Sequence, residues 1–282
     1  MVLLDIVRRL PGVRLVVAHV NHGIREDAAE DAELVCRVAM SHNLKYEETN
    51  LYLESGASEG SARAARYNFL RHICKKYNAR AVLTAHHKDD VIETAIINML
   101  RGTGWRGLSS LRSTRDLQRP LLHVSKQELQ GYAAHYHIEW RYDTTNNQTR
   151  YLRNYVRRTV LSKVSPEKKE KLYAYIVRQN KLTEAIDDEV ADWFSTYTHL
   201  ESATAPLPRY QLIMLPRHVA HELLQSVLRQ VGGKSMTRPL ADRALLFAKV
   251  AKSHKTFPID AHWRLRALPR EVIVERTPLV VS

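Results

Sequence analysis

The hydrophobic positions change period along the chain, and each change marks an element. Ala81-Val82-Leu83 is a short apolar run that reads as a buried strand, and His86-His87-Lys88 breaks it. From Asp89 onward Val91, Ile92, Ala95, Ile96 and Met99 recur at helical spacing, and the pattern stops at Arg101-Gly102. This is strand, polar turn, helix. Upstream, residues 1–10 read as a helix, 15–20 as a buried strand, 27–42 as a helix and 46–51 as a strand. Residues 58–77 form a helix whose core stripe is Ala62, Ala65, Phe69, Leu70 and Ile73, flanked by Arg63 and Arg66. Downstream, 105–115 reads as loop and Arg119-Pro120-Leu121-Leu122 as a short strand, and Ser125-Lys126-Gln127-Glu128 is a capping box that opens a further helix.

Strands alternating with helices at this spacing predict an α/β domain with a doubly wound parallel sheet over residues 1–160. Beyond it the texture changes to a second, smaller α+β domain, 161–282. Residues 166–193 are one long helical pattern, and 205–208 are a proline-bearing linker. Amphipathic helices follow at 217–231 and 239–252, and strands at 257–259, 263–265 and 272–274. Val231-Gly232-Gly233-Lys234-Ser235 reads as a turn after a helix.

In an open parallel sheet, ligands bind outside the carboxyl ends of the strands. The turn after residues 81–83 therefore delivers His86, His87, Asp89 and Asp90 to such a site, with Glu93 one helical turn on. Carboxylates there can hold Mg²⁺, bind a cationic substrate or take a proton from an amine; Asp89 is the candidate metal ligand. Asp90-x-x-Glu93 also has the form of a capping box, in which the acids serve only the helix terminus.

Composition narrows the choice. The 282 residues carry a net charge of +13 with 44% hydrophobic residues, which suits a globular protein with a polyanionic partner. The basic excess has a location. Arg150, Arg153, Arg157, Arg158, Lys163, Lys168, Lys169 and Lys171 face only Glu167 and Glu170, with Tyr151 and Tyr155 interleaved for stacking on bases. Cys36 and Cys74 form no Cys-x-x-Cys, which argues against a disulfide framework, a zinc site or paired-thiol sulfur transfer. No apolar run approaches the ~20 residues that span a bilayer, so no membrane partner is expected and the cytoplasm is the expected compartment.

Five motifs then occur in order: LVVAHVNHGIR at 15–25, SARAARYNFL at 61–70, LTAHHKDDVIETAIINMLRGTG at 83–104, RPLL at 119–122 and YLRNYVRRTVL at 151–161. Together they resemble the tRNA(Ile)-lysidine synthetases, a family of the N-type PP-loop pyrophosphatase superfamily with an adenine-nucleotide α-hydrolase-like fold. The second domain resembles that family's first C-terminal domain less closely. The resemblance implies ATP and Mg²⁺ as cofactors, free L-lysine and tRNA(Ile) with a CAU anticodon as partners, and ligation of lysine to C2 of the wobble cytidine through an adenylated intermediate. It implies Asp90 and Glu93 as catalytic carboxylates that bind lysine's ammonium and help remove its proton. It assigns Val17, Ala18, His19, His22, Arg66, His86 and Arg101 to the nucleotide, and Arg150, Arg153, Arg157 and Arg158 to tRNA. Whether the chain forms a homodimer stays open.

The family's pyrophosphate loop, Ser-Gly-Gly-x-Asp-Ser, is not found in these residues. The expectation is therefore that Met1 is an internal methionine or the edge of a gene fragment. The 282-residue chain would then fold poorly and not adenylate tRNA. Two rival readings follow: a non-catalytic tRNA-binding remnant, and a metal-dependent phosphoesterase built on His86, His87, Asp89 and Asp90.

Overall fold

The computed structural model describes residues 1–21, 28–51, 59–109, 111–141, 152–197, 204–233 and 236–277. The chain divides into two compact units, Met1–Lys181 and Leu182–Ser282.

In the first unit, α1 (Val2–Arg8) precedes β1 (Val16–Asn21), and α2 (Ala28–Ser41) leads to β2 (Lys45–Asn50). Helix α3 (Glu59–Lys76) leads to β3 (Val82–Leu83), which runs through a polar turn into α4 (Lys88–Leu100). β1 pairs in parallel with β2, from Val16↔Lys45 to Asn21↔Asn50. β3 pairs in parallel with β4 (Leu117–Gln118). Among the described residues these are two separate parallel pairs, and α3 packs against both β1 and β3. The strand–helix alternation read from the apolar period is thus present. Parallel strands need crossovers of this length, and here helices supply them.

Three local expectations change. Residues 105–115 are not all loop: α5 (Gly104–Leu108) is a helix of five residues, too short to show a period. The strand near Arg119 is β4, immediately before the Arg-Pro pair; Pro120 opens a turn, because it lacks the N–H that a ladder needs. On α4 the buried apolar positions are Val91, Ile92, Ala95 and Ile97, while Met99 is 58% exposed near the helix end.

Helix α6 (Lys126–His135) starts at the expected capping box. Ser125 Oγ accepts the Glu128 N–H at 3.2 Å, and Glu128 accepts the Ser125 N–H at 2.7 Å. The chain then enters α7 (Leu152–Tyr155), a π-helical turn at Val156–Val160 and a 3₁₀ turn at Leu161–Lys163. Val156, Leu161 and Ile176 share a core with Val91, Ile92, Ala95 and Ile97, with Leu172 and Tyr173 packed on it. Residues 161–181 therefore belong to the first unit, not to a second domain that starts at 161. Ile176 lies on α8 (Pro166–Tyr197), and the division falls within that helix.

The second unit is an antiparallel sheet packed with helices. Its strand order is β5 (Thr204–Pro208), β8 (Glu271–Arg276), β7 (Trp263–Ala267) and β6 (Thr256–Pro258). The part of α8 from Leu182 on and helices α9 (Arg209–Met214), α10 (Arg217–Gln230) and α11 (Arg238–Val250) complete it. Leu223, Leu224, Val227, Leu228, Leu245, Leu265 and Val274 form its centre. The expected linker at 205–208 is strand β5: Ala205 and Leu207 are fully buried and alternate with Pro206 and Pro208. Prolines are tolerated there because β5 is an edge strand. Gly232 takes φ +90° in the turn after α10, the left-handed conformation that favours glycine.

Candidate active site at the start of helix α4

Helix α4 begins at Lys88, with His87 as its N-cap in extended conformation. The Asp90 carboxylate accepts the His87 N–H at 2.9 Å. The cap is therefore His87-x-x-Asp90, one turn earlier than the Asp90-x-x-Glu93 form read from sequence. The Lys88 N–H donates to the Val124 carbonyl at 2.9 Å. Asp89 Oδ2 accepts the Lys126 N–H at 2.8 Å. One acid thus serves its own helix, and its neighbour serves the start of α6.

The two histidines sit in opposite fields. Burial pushes the His86 ring down to about 4; Asp90 pulls it up, and the guanidinium groups of Arg119, Arg63 and Arg66 push it down further. His86 Nδ1 also lies 2.8 Å from Thr84 Oγ1. Burial opposes charge on His87 too, but the nearby carboxylates of Asp89, Asp90 and Glu93 outweigh it and raise the ring above its ordinary value. His87 Nδ1 is 3.5 Å from Asp89, and its Nε2 is 3.5 Å from Asp90. The His87 ring beside it lowers Asp89 to about 2 against its burial, with help from the Lys126 N–H. At neutral pH the turn therefore presents a neutral His86 ring, a His87 ring whose charged form is favoured, and the Asp89 carboxylate. The Asp90 side chain is 14% exposed.

Glu93 is not part of that open turn. It is 2% exposed, and Arg157 grips it with both arms: Nε to Oε1 at 2.6 Å and Nη2 to Oε2 at 2.9 Å. Arg153 Nη2 reaches Thr94 Oγ1 at 3.3 Å. Of the expected RNA-binding arginines, Arg157 is thus turned inward and Arg158 is exposed, while Arg150 lies outside the described residues. His22 lies outside them too. Val17, Ala18 and His19 are half-buried on β1, where burial pushes the His19 ring down against the pull of Glu48 and Asp31. Arg101 follows the last residue of α4, so a helix of this length holds it roughly 17 Å along the axis from Asp90. It does not join the cluster.

The arginines around His86 include two that the sequence reading did not assign to the site. Arg63 lies three residues before Arg66, on the same helical face, which is a readable signal. Arg119 is buried, its N–H donates to Ser113 Oγ at 2.9 Å, and its Nε has no hydrogen-bond partner. Among the described residues no group of three or more His, Cys, Asp or Glu could hold a metal ion. Asp89, the expected Mg²⁺ ligand, is engaged with Lys126 and His87, so these residues do not form a protein cage for that ion.

The family model for the PP-loop domain matches residues 1–164, well over half of the chain. The chain belongs to the PP-loop domain family. Its similarity to individual relatives runs further. It is 28% identical over 249 residues to the tRNA(Ile)-lysidine synthase of Thermotoga maritima, which covers 83% of this chain and 59% of that protein. It is 38% identical over 151 residues to the enzyme of that name from Exiguobacterium sibiricum, covering 52% and 36%. With that of Burkholderia pseudomallei it shares 28% identity over 281 residues, covering 94% and 57%. The chain thus spans between about a third and three fifths of the length of these curated relatives. Among solved structures, the U34-tRNA thiolase NcsA of Methanococcus maripaludis, with its [4Fe-4S] cluster, superposes with a TM-score of 0.51 at 16% identity. That match covers 64% of this chain and 65% of NcsA, and it shows the fold alone. Together with the helix-linked parallel pairs it makes the first unit a doubly wound, adenine-nucleotide α-hydrolase-like α/β fold. Among the described residues, no helix is long and apolar enough to cross a membrane.

Proposed function

We propose that this PP-loop protein serves lysidine formation: ATP-dependent ligation of lysine to C2 of the wobble cytidine in tRNA(Ile) with a CAU anticodon. The observation that carries the reading is the similarity to tRNA(Ile)-lysidine synthases over 249 to 281 residues, well past the PP-loop domain itself. The start of α4 supports it chemically.

In the first step the cytidine O2 attacks the α-phosphorus of ATP, and pyrophosphate leaves. Negative charge grows on the phosphate oxygens. Arg66, Arg63 and Arg119 around His86 supply a fixed positive field of the kind that stabilises such charge. In the second step lysine's amine attacks C2, the C2–O bond breaks, and AMP leaves with its electron pair. The nucleophile must first lose a proton, although free lysine has a pKa near ~10.4. We assign this ammonium to Asp90, whose side chain is 14% exposed at the start of α4 and lies beside the neutral His86 ring. The tRNA is held by basic residues of the 152–171 segment, Arg153 and Arg158 foremost.

The test joins the family's strand and Ser-Gly-Gly-x-Asp-Ser loop ahead of residue 1 and measures AMP release. Release should require tRNA(Ile), ATP and lysine together. Retained tRNA binding with no AMP under any combination would favour RNA binding without catalysis. Phosphate-ester hydrolysis with added metal, in place of AMP release, would favour the phosphoesterase.

A further inference from the structure

We propose that Glu93 is a positioning residue for RNA, not a ligand for lysine. Its carboxylate holds Arg157, and through Arg157 it sets the basic turn at Val156–Val160 against α4. The inference rests on the lysidine reading above and changes one role within it.

Three observations carry it. First, Glu93 has no surface to offer a second cation: it is 2% exposed, and both of its oxygens are engaged by one guanidinium. A bidentate arginine–carboxylate pair fixes orientation as well as distance. Second, Arg157 lies in a π-helical turn, a form that occurs mostly as single turns and is frequent at functional sites. Its neighbour Arg158 is exposed on that turn, so the direction Arg157 takes decides which face Arg158 presents. Third, the arrangement has a second tether. Arg153 reaches Thr94, the residue after Glu93, and Val156 and Leu161 are buried with Val91, Ile92, Ala95 and Ile97 of α4. The basic segment is thus registered residue by residue on the helix that carries Asp90. A phosphate bound by Arg158 is then held at a fixed offset from the acid turn, as a nucleotide entering that turn requires.

The two roles predict opposite splits. Glu93→Gln keeps the shape of the side chain but removes the charge that orients Arg157. In the chain preceded by the Ser-Gly-Gly-x-Asp-Ser strand and loop, tRNA binding should weaken at least about fivefold, and its salt dependence should lose about one unit of slope. Lysine binding, titrated by calorimetry, should stay within about twofold. Arg157→Gln should give the same tRNA defect, and the double variant should be no worse than either single one, because both act through one contact. A stability loss alone would leave the salt slope unmoved. Unchanged tRNA affinity in Glu93→Gln with weakened lysine binding would overturn the inference and return Glu93 to the lysine site. Failure of the unaltered chain to bind tRNA at all would overturn the functional reading itself, and this one with it.

Discussion

His86 and Asp90 show how neighbouring residues of one turn take different duties. Asp90 caps α4 through the His87 N–H and keeps a partly exposed side chain, so capping and chemistry are not exclusive for it. His86 is held neutral, mainly by burial, and this has a measurable consequence. The unfolded chain takes up a proton at His86 below about its ordinary 6.5, whereas the folded chain waits until about 4. The unfolded state therefore binds more protons in that window, and stability falls as the pH drops from 6.5 to 4. The His86 share is about 2 kcal/mol once solvent screening is allowed for. Urea unfolding of His86→Gln should lose less stability across this window than the unaltered chain does; parallel curves would contradict the assignment.

At the scale of elements, helix α4 and the basic segment 152–163 share one core and two side-chain tethers. Their arginines differ in kind. Arg157→Ala strands a buried carboxylate and should cost about 3–5 kcal/mol of stability. Arg158→Ala removes an exposed charge and should cost about 1 kcal/mol or less, while flattening the salt dependence of tRNA binding. Thermal unfolding beside salt-dependent tRNA titration separates the two. Much of this level was legible in the sequence. The strand–turn–helix at 81–100 and the capping box at Ser125 follow from period and residue type, which are local signals. What was not legible was non-local. Glu93 shares a helical face with Asp90, but its partner Arg157 lies 64 residues away. The two acids look alike in sequence and differ only in what packs over them. Strand β5 was hidden because its prolines speak for a loop unless the strand lies on an edge, and edges are a property of the sheet.

At the scale of the whole molecule, two cores support two compact units. Leu224 is fully buried in the second, and Leu224→Ala should cost that unit about 2–5 kcal/mol, read from chemical denaturation. The similarity to lysidine synthases spans both units, whereas the acid turn and its arginines belong to the first. The most direct measurement is the identity of the wobble nucleoside in a tRNA(Ile) transcript after incubation with ATP, lysine and the chain preceded by the Ser-Gly-Gly-x-Asp-Ser strand and loop. Nuclease digestion and mass spectrometry should find cytidine joined to lysine at C2. Asp90→Asn should leave plain cytidine while still binding the tRNA. Unmodified cytidine with the unaltered residues, or lysidine formed equally well by Asp90→Asn, would contradict the account.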